Sequence, residues 1–347
     1  MPSTWLNLLP GEPLADYPTL FFFEVGEWWD YAMLLVVIVT LAGTAWLTIR
    51  YRWAVAVFFI AAPVGLTIFW WPHSTEGTTV SGWFLIVKQY SALIGSLSLA
   101  ALQIFPKLRR NRWYLLIPPI LLAVNIVEAV VRDLQCYYIH GSDTNGSVLW
   151  GGPWNIMNAV AGILNILAIS GWVGIFVSKR RDHAIIWGDL TILWIVGYDL
   201  WNFAYCYNCL SDRSWYAGFA LLASCTIPAC FKWGRGAWIH YRAYTLTLWS
   251  GFMLTVPGFV ASGIFEHRSA HNPVALFLVS LASLVANVIL VVYHVSKIVR
   301  TKRNPATMEV YGDTPTYVSW VAYHATAAEQ DRIATRLGST AEKLGYR

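Results

Sequence analysis

Charge is what this chain has least of. Asp, Glu, Lys and Arg make up only 12% of its 347 residues, about half the share of an ordinary soluble domain, and the mean hydropathy is +0.49. An ordinary soluble fold is thereby excluded. Lys and Arg are missing altogether from the opening stretch "MPSTWLNLLPGEPLADYPTLFFFEVGEWWD". Without a basic n-region there, a cleaved signal peptide is not expected and the first apolar run reads as a retained anchor. The chain also lacks H-E-x-x-H, G-x-S-x-G and a Walker loop, the spacings that would supply a zinc site, a nucleophile elbow or a phosphate cradle. No repeat of fixed period is present, and an odd number of apolar runs does not divide into two inverted halves.

What is present is a series of apolar runs near 20 residues long, enough to cross about 30 Å of hydrocarbon. They fall at 31–49, 53–71, 81–105, 113–132, 153–177, 185–208, 214–231, 238–263 and 271–298. The expected fold is an all-α polytopic transmembrane helix bundle of about nine helices. It is flanked by an acidic, aromatic outer-interface segment over 1–30 and a polar cytoplasmic tail over 301–347.

Basic residues mark alternate connections: Arg50 and Arg52, then "KLRRNR", "SKRRDH", "KWGRGAW" and "KIVRTKR". By the excess of Lys and Arg in cytoplasmic loops, the N-terminus is expected outside and the C-terminus in the cytoplasm, in the plasma (inner) membrane. The net charge of +5 is then a topogenic signal. It is no footprint for nucleic acid, for which no basic, aromatic-interleaved surface remains. Cys136, Cys206 and Cys209 share the expected outer side, where a disulfide from Cys136 to either of the others and free thiols are both open.

Polar side chains inside the runs carry the functional reading, because a charge at the centre of a membrane helix costs about 2.5–3.5 kcal/mol on insertion scales. Lys88, Glu128, Arg132, Asn155, Asn158, Asp199 and Asn202 all fall in the outer to middle part of their runs, with Tyr198 and Tyr205 beside them. They are expected to line one outward-open cavity, with Asp199 and Glu128 as sites for a cation and Lys88 or Arg132 as internal counter-ions. The competing structural roles are Lys88–Glu128 and Arg132–Asp133 pairs and asparagines that hydrogen-bond between helices. Glu266, His267 and His271 lie in an outer loop, where the i, i+4 histidines could bind a metal but a solvated loop is favoured.

Carboxylates, amide carbonyls and phenolic hydroxyls are hard donors, suited to H⁺, Na⁺ or Ca²⁺. Cation transport, by a channel or a secondary transporter, is therefore the leading expectation, with the bilayer and a small cation or polar ligand as partners and self-association left open. A small-ligand sensor, or an intramembrane enzyme using an Asp/Glu pair, are the alternatives. No cofactor is specified. The stretches "GGPWNIMNAVAGILNILAISGWVGIFVSK", "DLTILWIVGYDLWNFAYCYNCLSDRSWYAGFALLASCTIPA" and "GAWIHYRAYTLTLW", over about residues 150–250, resemble an uncharacterised family of prokaryotic multi-pass membrane proteins. That resemblance implies the membrane class and no activity.

Overall fold

The computed structural model describes residues 21–24, 26–143, 147–261, 265, 267, 269 and 271–347. The fold is mostly helical. In chain order run α1 (Trp28–Arg50), α2 (Arg52–Phe69), α3 (Trp83–Ile104), α4 (Ile117–Cys136), α5 (Pro153–Leu167), α6 (Ile192–Cys209), α7 (Trp215–Cys230), α8 (Trp238–Thr255) and α9 (Pro273–Thr301). Two short helices follow, α10 (Pro315–His324) and α11 (Ala327–Arg336). Two antiparallel pairs sit in the connections: β1 (His140–Ser142) with β2 (Val148–Trp150), and β3 (Phe176–Val177) with β4 (Ile185–Ile186).

Local chemistry fixes the helix ends. Asp30 accepts the Glu27 backbone N–H at 2.9 Å in the first turn of α1, and Arg50 closes its last turn; both charges interact favourably with the helix dipole. Thr191 caps α6 by accepting from the Trp194 N–H at 3.3 Å. Asn272 caps α9 through the Val274 N–H at 2.9 Å, with Pro273 in the first turn, where a missing N–H costs nothing.

Among the described residues, five helices are long and apolar enough to cross a membrane: α1, α2, α3, α4 with its preceding turn, and α9. Their apolar side chains stay largely on the outside. Leu35 and Val39 on α1 are each 61% exposed, as is Val292 on α9. Such stripes are a liability in water and are solvated by acyl chains in a bilayer.

The helices α6 and α8 are built the other way round, with Trp194, Tyr198, Trp201, Tyr205, Trp238, Tyr241 and Tyr244 buried. α6 packs on α4, α5, α7 and α9, while α8 packs on α1, α3 and α7. Small residues bring α3 against α8, as their spacing predicts: Ala92, Ser96 and Ala100 are buried, and the Ser96 hydroxyl lies 2.8 Å from that of Thr247.

The run 153–177 departs from its expected form. α5 has 15 residues, about 22 Å of helix, and stops before Ser170 and Gly171. Gly171 takes φ 67°, a left-handed conformation, and a side chain there would collide with Asp189. Hydropathy does not register that requirement.

Asp189 is 1% exposed and ties three segments together. Its carboxylate accepts the Ser170 hydroxyl at 2.8 Å and the backbone N–H groups of Val310 and Tyr311 at 2.8 and 3.3 Å. The polar segment after residue 301 is thus docked on the bundle. His294 Nδ1 meets the Tyr311 hydroxyl at 2.8 Å, Arg336 pairs with the buried Glu309, and Trp320, Val321 and Ile333 are buried.

His324 closes the dock. Its carbonyl accepts from the Lys179 N–H at 2.8 Å, and its Nδ1 lies 2.9 Å from the Ser178 hydroxyl. Burial, reinforced by the Arg180 and Lys179 charges, pushes the imidazole down to about 4. An undocked histidine binds a proton near pH 6.5, so the His324 contribution to docking is constant above that value and is lost as pH falls from 6.5 through 4, while the Asp189 carboxyl, pushed up to about 7 by burial, acts the other way over that range. Relative to His324→Gln and after correction for the intrinsic exchange rate, protection of α10 amides should fall on the order of a hundredfold across that window. His324→Gln should flatten the response, and a step that survives in this variant would belong to another group.

Candidate functional site

The polar residues of the bundle fall into separate clusters, each built by a different set of helices. Between α3 and α4, Lys88 Nζ donates to Glu128 Oε2 and to the Asn125 carbonyl, both at 3.2 Å. Glu128 is thereby a counter-ion. Arg132, on the same face of α4, pairs with Asp143 at 2.5 Å beside β1, and not with its neighbour Asp133.

Asp133 is fully buried and forms a second cluster. Asn155 and Asn158 of α5 donate to its two oxygens at 3.2 and 2.8 Å, and the Cys209 thiol of α6 donates at 3.1 Å. Three helices thus meet at one carboxylate, and Ser283 of α9 joins them by donating to the Asn158 side-chain carbonyl at 2.8 Å. Farther along α5, Asn165 donates to Asn287 at 3.0 Å, and Asn287 donates to the Gly197 carbonyl at 2.9 Å. Cys136, Cys206 and Cys209 are free thiols.

A third cluster joins α6 to α8. Arg242, 4% exposed, donates from Nε to the Tyr198 hydroxyl at 3.1 Å and from Nη2 to Asn202 Oδ1 at 3.4 Å. Its guanidinium carbon stands 5.5 Å from the centre of the Tyr198 ring. Nη1 is buried without an acceptor, and among the described residues no carboxylate forms an ion pair with this arginine. The field of Arg242 reaches Asp199 only at longer range. Asp199, on another face of α6, accepts the Thr226 hydroxyl at 2.7 Å through Oδ2, while its Oδ1 is buried with no donor.

Two cavities meet at Arg242. The larger, about 70 Å³, lies among α3, α6, α7 and α8 and is lined by Lys88, Asn202, Tyr205, Arg213 and Arg242 together with leucines and Met253. The smaller, about 50 Å³, lies among α3, α4, α6 and α8, with Asn125, Tyr198 and Arg242 in its wall. Either has room for more than one water molecule. Lys88 is balanced by Glu128. Arg213 is balanced by Asp212 at 2.7 Å, and although burial opposes ionisation there, the Arg213 guanidinium holds the Asp212 carboxyl below its ordinary value. The charge left over at the cavities is that of Arg242.

Lys88, Asn202, Tyr205 and Tyr198 therefore line these cavities, whereas Glu128, Arg132, Asn155, Asn158 and Asp199 line neither. Sequence reading passed over Arg242 because an arginine one turn into a helix, next to the basic "KWGRGAW", looks like part of the flanking charge. The usable signal was its place inside the apolar run. Asp133 was passed over because it adjoins Arg132, yet successive residues of a helix do not face each other. Of the loop histidines, His271 Nε2 lies 3.0 Å from the Val148 carbonyl and His267 lies 3.8 Å from Asp30; Glu266 is outside the described residues. No group of three or more metal-ligating side chains occurs among the described residues.

The model of a family of unknown function (DUF5692) matches residues 24–323, and the chain belongs to that family. No curated protein and no solved structure matches it.

Asp133 and Asp199 should respond differently to substitution. Asp133→Ala leaves several buried donors without acceptors and should cost about 3–5 kcal/mol, with Asp133→Asn costing less. Asp199→Asn, which disturbs one hydroxyl contact, should cost about 1 kcal/mol or less. Unfolding of the detergent-purified protein measures both, and equal losses would contradict the assignment of Asp133 as the packing hub.

Proposed function

We propose that this family member is a nine-crossing membrane protein, N-terminus outside and C-terminus cytoplasmic, that conducts or transports a small monovalent anion through the cavities joined at Arg242. The crossings are supported by the five membrane-length helices and by α5, α6, α7 and α8 lying in sequence between α4 and α9. Alternation of Lys and Arg supports the orientation.

The observation that carries the anion reading is the buried Nη1 of Arg242, on a guanidinium with no carboxylate partner, between two cavities. An isolated buried charge is costly unless it is compensated. A mobile anion supplies both the missing acceptor and the missing charge. One surplus positive charge matches one negative charge, and cavities of about 50 and 70 Å³ favour a halide or an ion of similar size. The remaining wall is mostly apolar, which keeps the site from trapping a hydrated ion too tightly to release it.

A cation route is the second reading, and Asp199 favours it through the undonated Oδ1. Glu128 contributes less to such a route, because Lys88 already holds it.

Flux into proteoliposomes separates the two. Chloride or bromide uptake should fall by about ten- to a hundredfold in Arg242→Gln, the worth of a hydrogen bond to a charged group, and persist in Asp199→Asn. Uptake of H⁺, Na⁺ or Ca²⁺ abolished by Asp199→Asn and untouched by Arg242→Gln would replace the anion reading with the cation one.

A further inference from the structure

At the end of the bundle where α1 finishes and the β3–β4 connection turns, a separate cavity of about 600 Å³ opens to the surface. Four bases line it: Arg50 from the last turn of α1, and Lys179, Arg180 and Arg181 from the β3–β4 connection. Asp182 is the acid in the same wall, and its Oδ1 is turned to the Ala184 N–H at 3.4 Å. None of the four bases forms an ion pair among the described residues.

Aromatic rings complete the wall. The Arg180 guanidinium stands 4.7 Å from the centre of the Tyr323 ring, and that of Arg50 stands 5.5 Å from Trp46. Trp233, in the same wall, stacks on Phe231 with centroids 5.9 Å apart. Bases backed by rings in this way are held in place while their outer N–H groups stay available, an arrangement suited to phosphate oxygens.

The surroundings select a lipid over a soluble phosphate. On α1, Leu35, Val39 and Trp46 are exposed and fall on one face at helical spacing, and Arg50 follows Trp46 by one turn. The outward apolar stripe of the helix runs directly to the basic cavity. Trp53, 57% exposed at the start of α2, and Trp233, 40% exposed, stand at the same end, as rings do at a membrane interface.

We infer that this cavity binds the phosphate of an anionic phospholipid, with the acyl chains lying along the Leu35–Val39–Trp46 face of α1. Lys179, Arg180 and Arg181 approach the phosphate from the β3–β4 side and Arg50 from the helix side. The excess of bases over Asp182 selects an anionic headgroup over a zwitterionic one. Its size lies within the range of ligand pockets, about 300–1,000 Å³. The site is independent of Arg242 and of any ion that passes there.

The test is lipid retention by the full chain, purified in an uncharged detergent and read by native mass spectrometry. Phosphatidylglycerol is compared with phosphatidylcholine, and glycerol 3-phosphate serves as the soluble competitor. Phosphatidylglycerol should be retained at least about tenfold better than phosphatidylcholine, and Arg50→Gln or Arg181→Gln should each weaken retention about fivefold. Among the described residues the Arg181 side chain forms no hydrogen bond or ion pair, so its variant should fold like the parent, which the unfolding temperature without added lipid checks. Equal retention of both lipids, or full retention in both variants, would overturn the inference. Displacement by glycerol 3-phosphate at concentrations equal to the lipid would also overturn it, by assigning the cavity to a soluble phosphate.

Discussion

A guanidinium held away from water must find acceptors within the protein, and Arg242 sets the terms for the helices around it. Its Nε and Nη2 reach Tyr198 and Asn202, successive turns of α6, and with Trp238 packed edge-on against Trp194 and Tyr198 this long side chain joins α8 to α6. The spaces on either side of that bridge are the two cavities. A well-packed contact between α6 and α8 would abolish them. The cavities follow from the way the arginine is accommodated.

Around this bridge hydrogen bonds between helices give the site a firm frame. Asp133 gathers α4, α5, α6 and α9 through Asn155, Asn158, Cys209 and, one bond farther, Ser283. Gly162 lets Trp201 and Val130 approach α5 so closely that a side chain there would collide with both. At the end reached by Asp189, the segment after residue 301 is fastened to the same frame. Buried networks of this kind cost more to break than they contribute when intact, and so they hold helix positions while the space at Arg242 stays open.

Much of this architecture is legible in the residue pattern. Each apolar run contains a helix, because a long stretch without charge has few other ways to satisfy its backbone in hydrocarbon. The Lys88–Glu128 pair is legible as well, since the expected topology puts both residues at one depth on successive apolar runs. Depth alone does not give azimuth, however. Glu128, Arg132, Asn155, Asn158 and Asp199, expected at one level with the cavity residues, line neither cavity. Arg132 takes a partner from the β1 end, Asp143, which helical spacing does not reveal. The fold of residues 301–347 was hidden for a related reason: its buried Tyr311, Tyr317, Trp320 and Tyr346 are dispersed among polar residues, and the sequence reads as a solvated tail until its partners on the bundle are known.

The most direct measurement is anomalous scattering from crystals of the protein grown in bromide. An anion held by the unpaired guanidinium predicts a bromide peak in contact with Nη1 of Arg242, lost in Arg242→Gln. Bromide found only on the outer surface, with the region between α6 and α8 free of any peak, would contradict an anion site at Arg242 and return Asp199 to the centre of the mechanism.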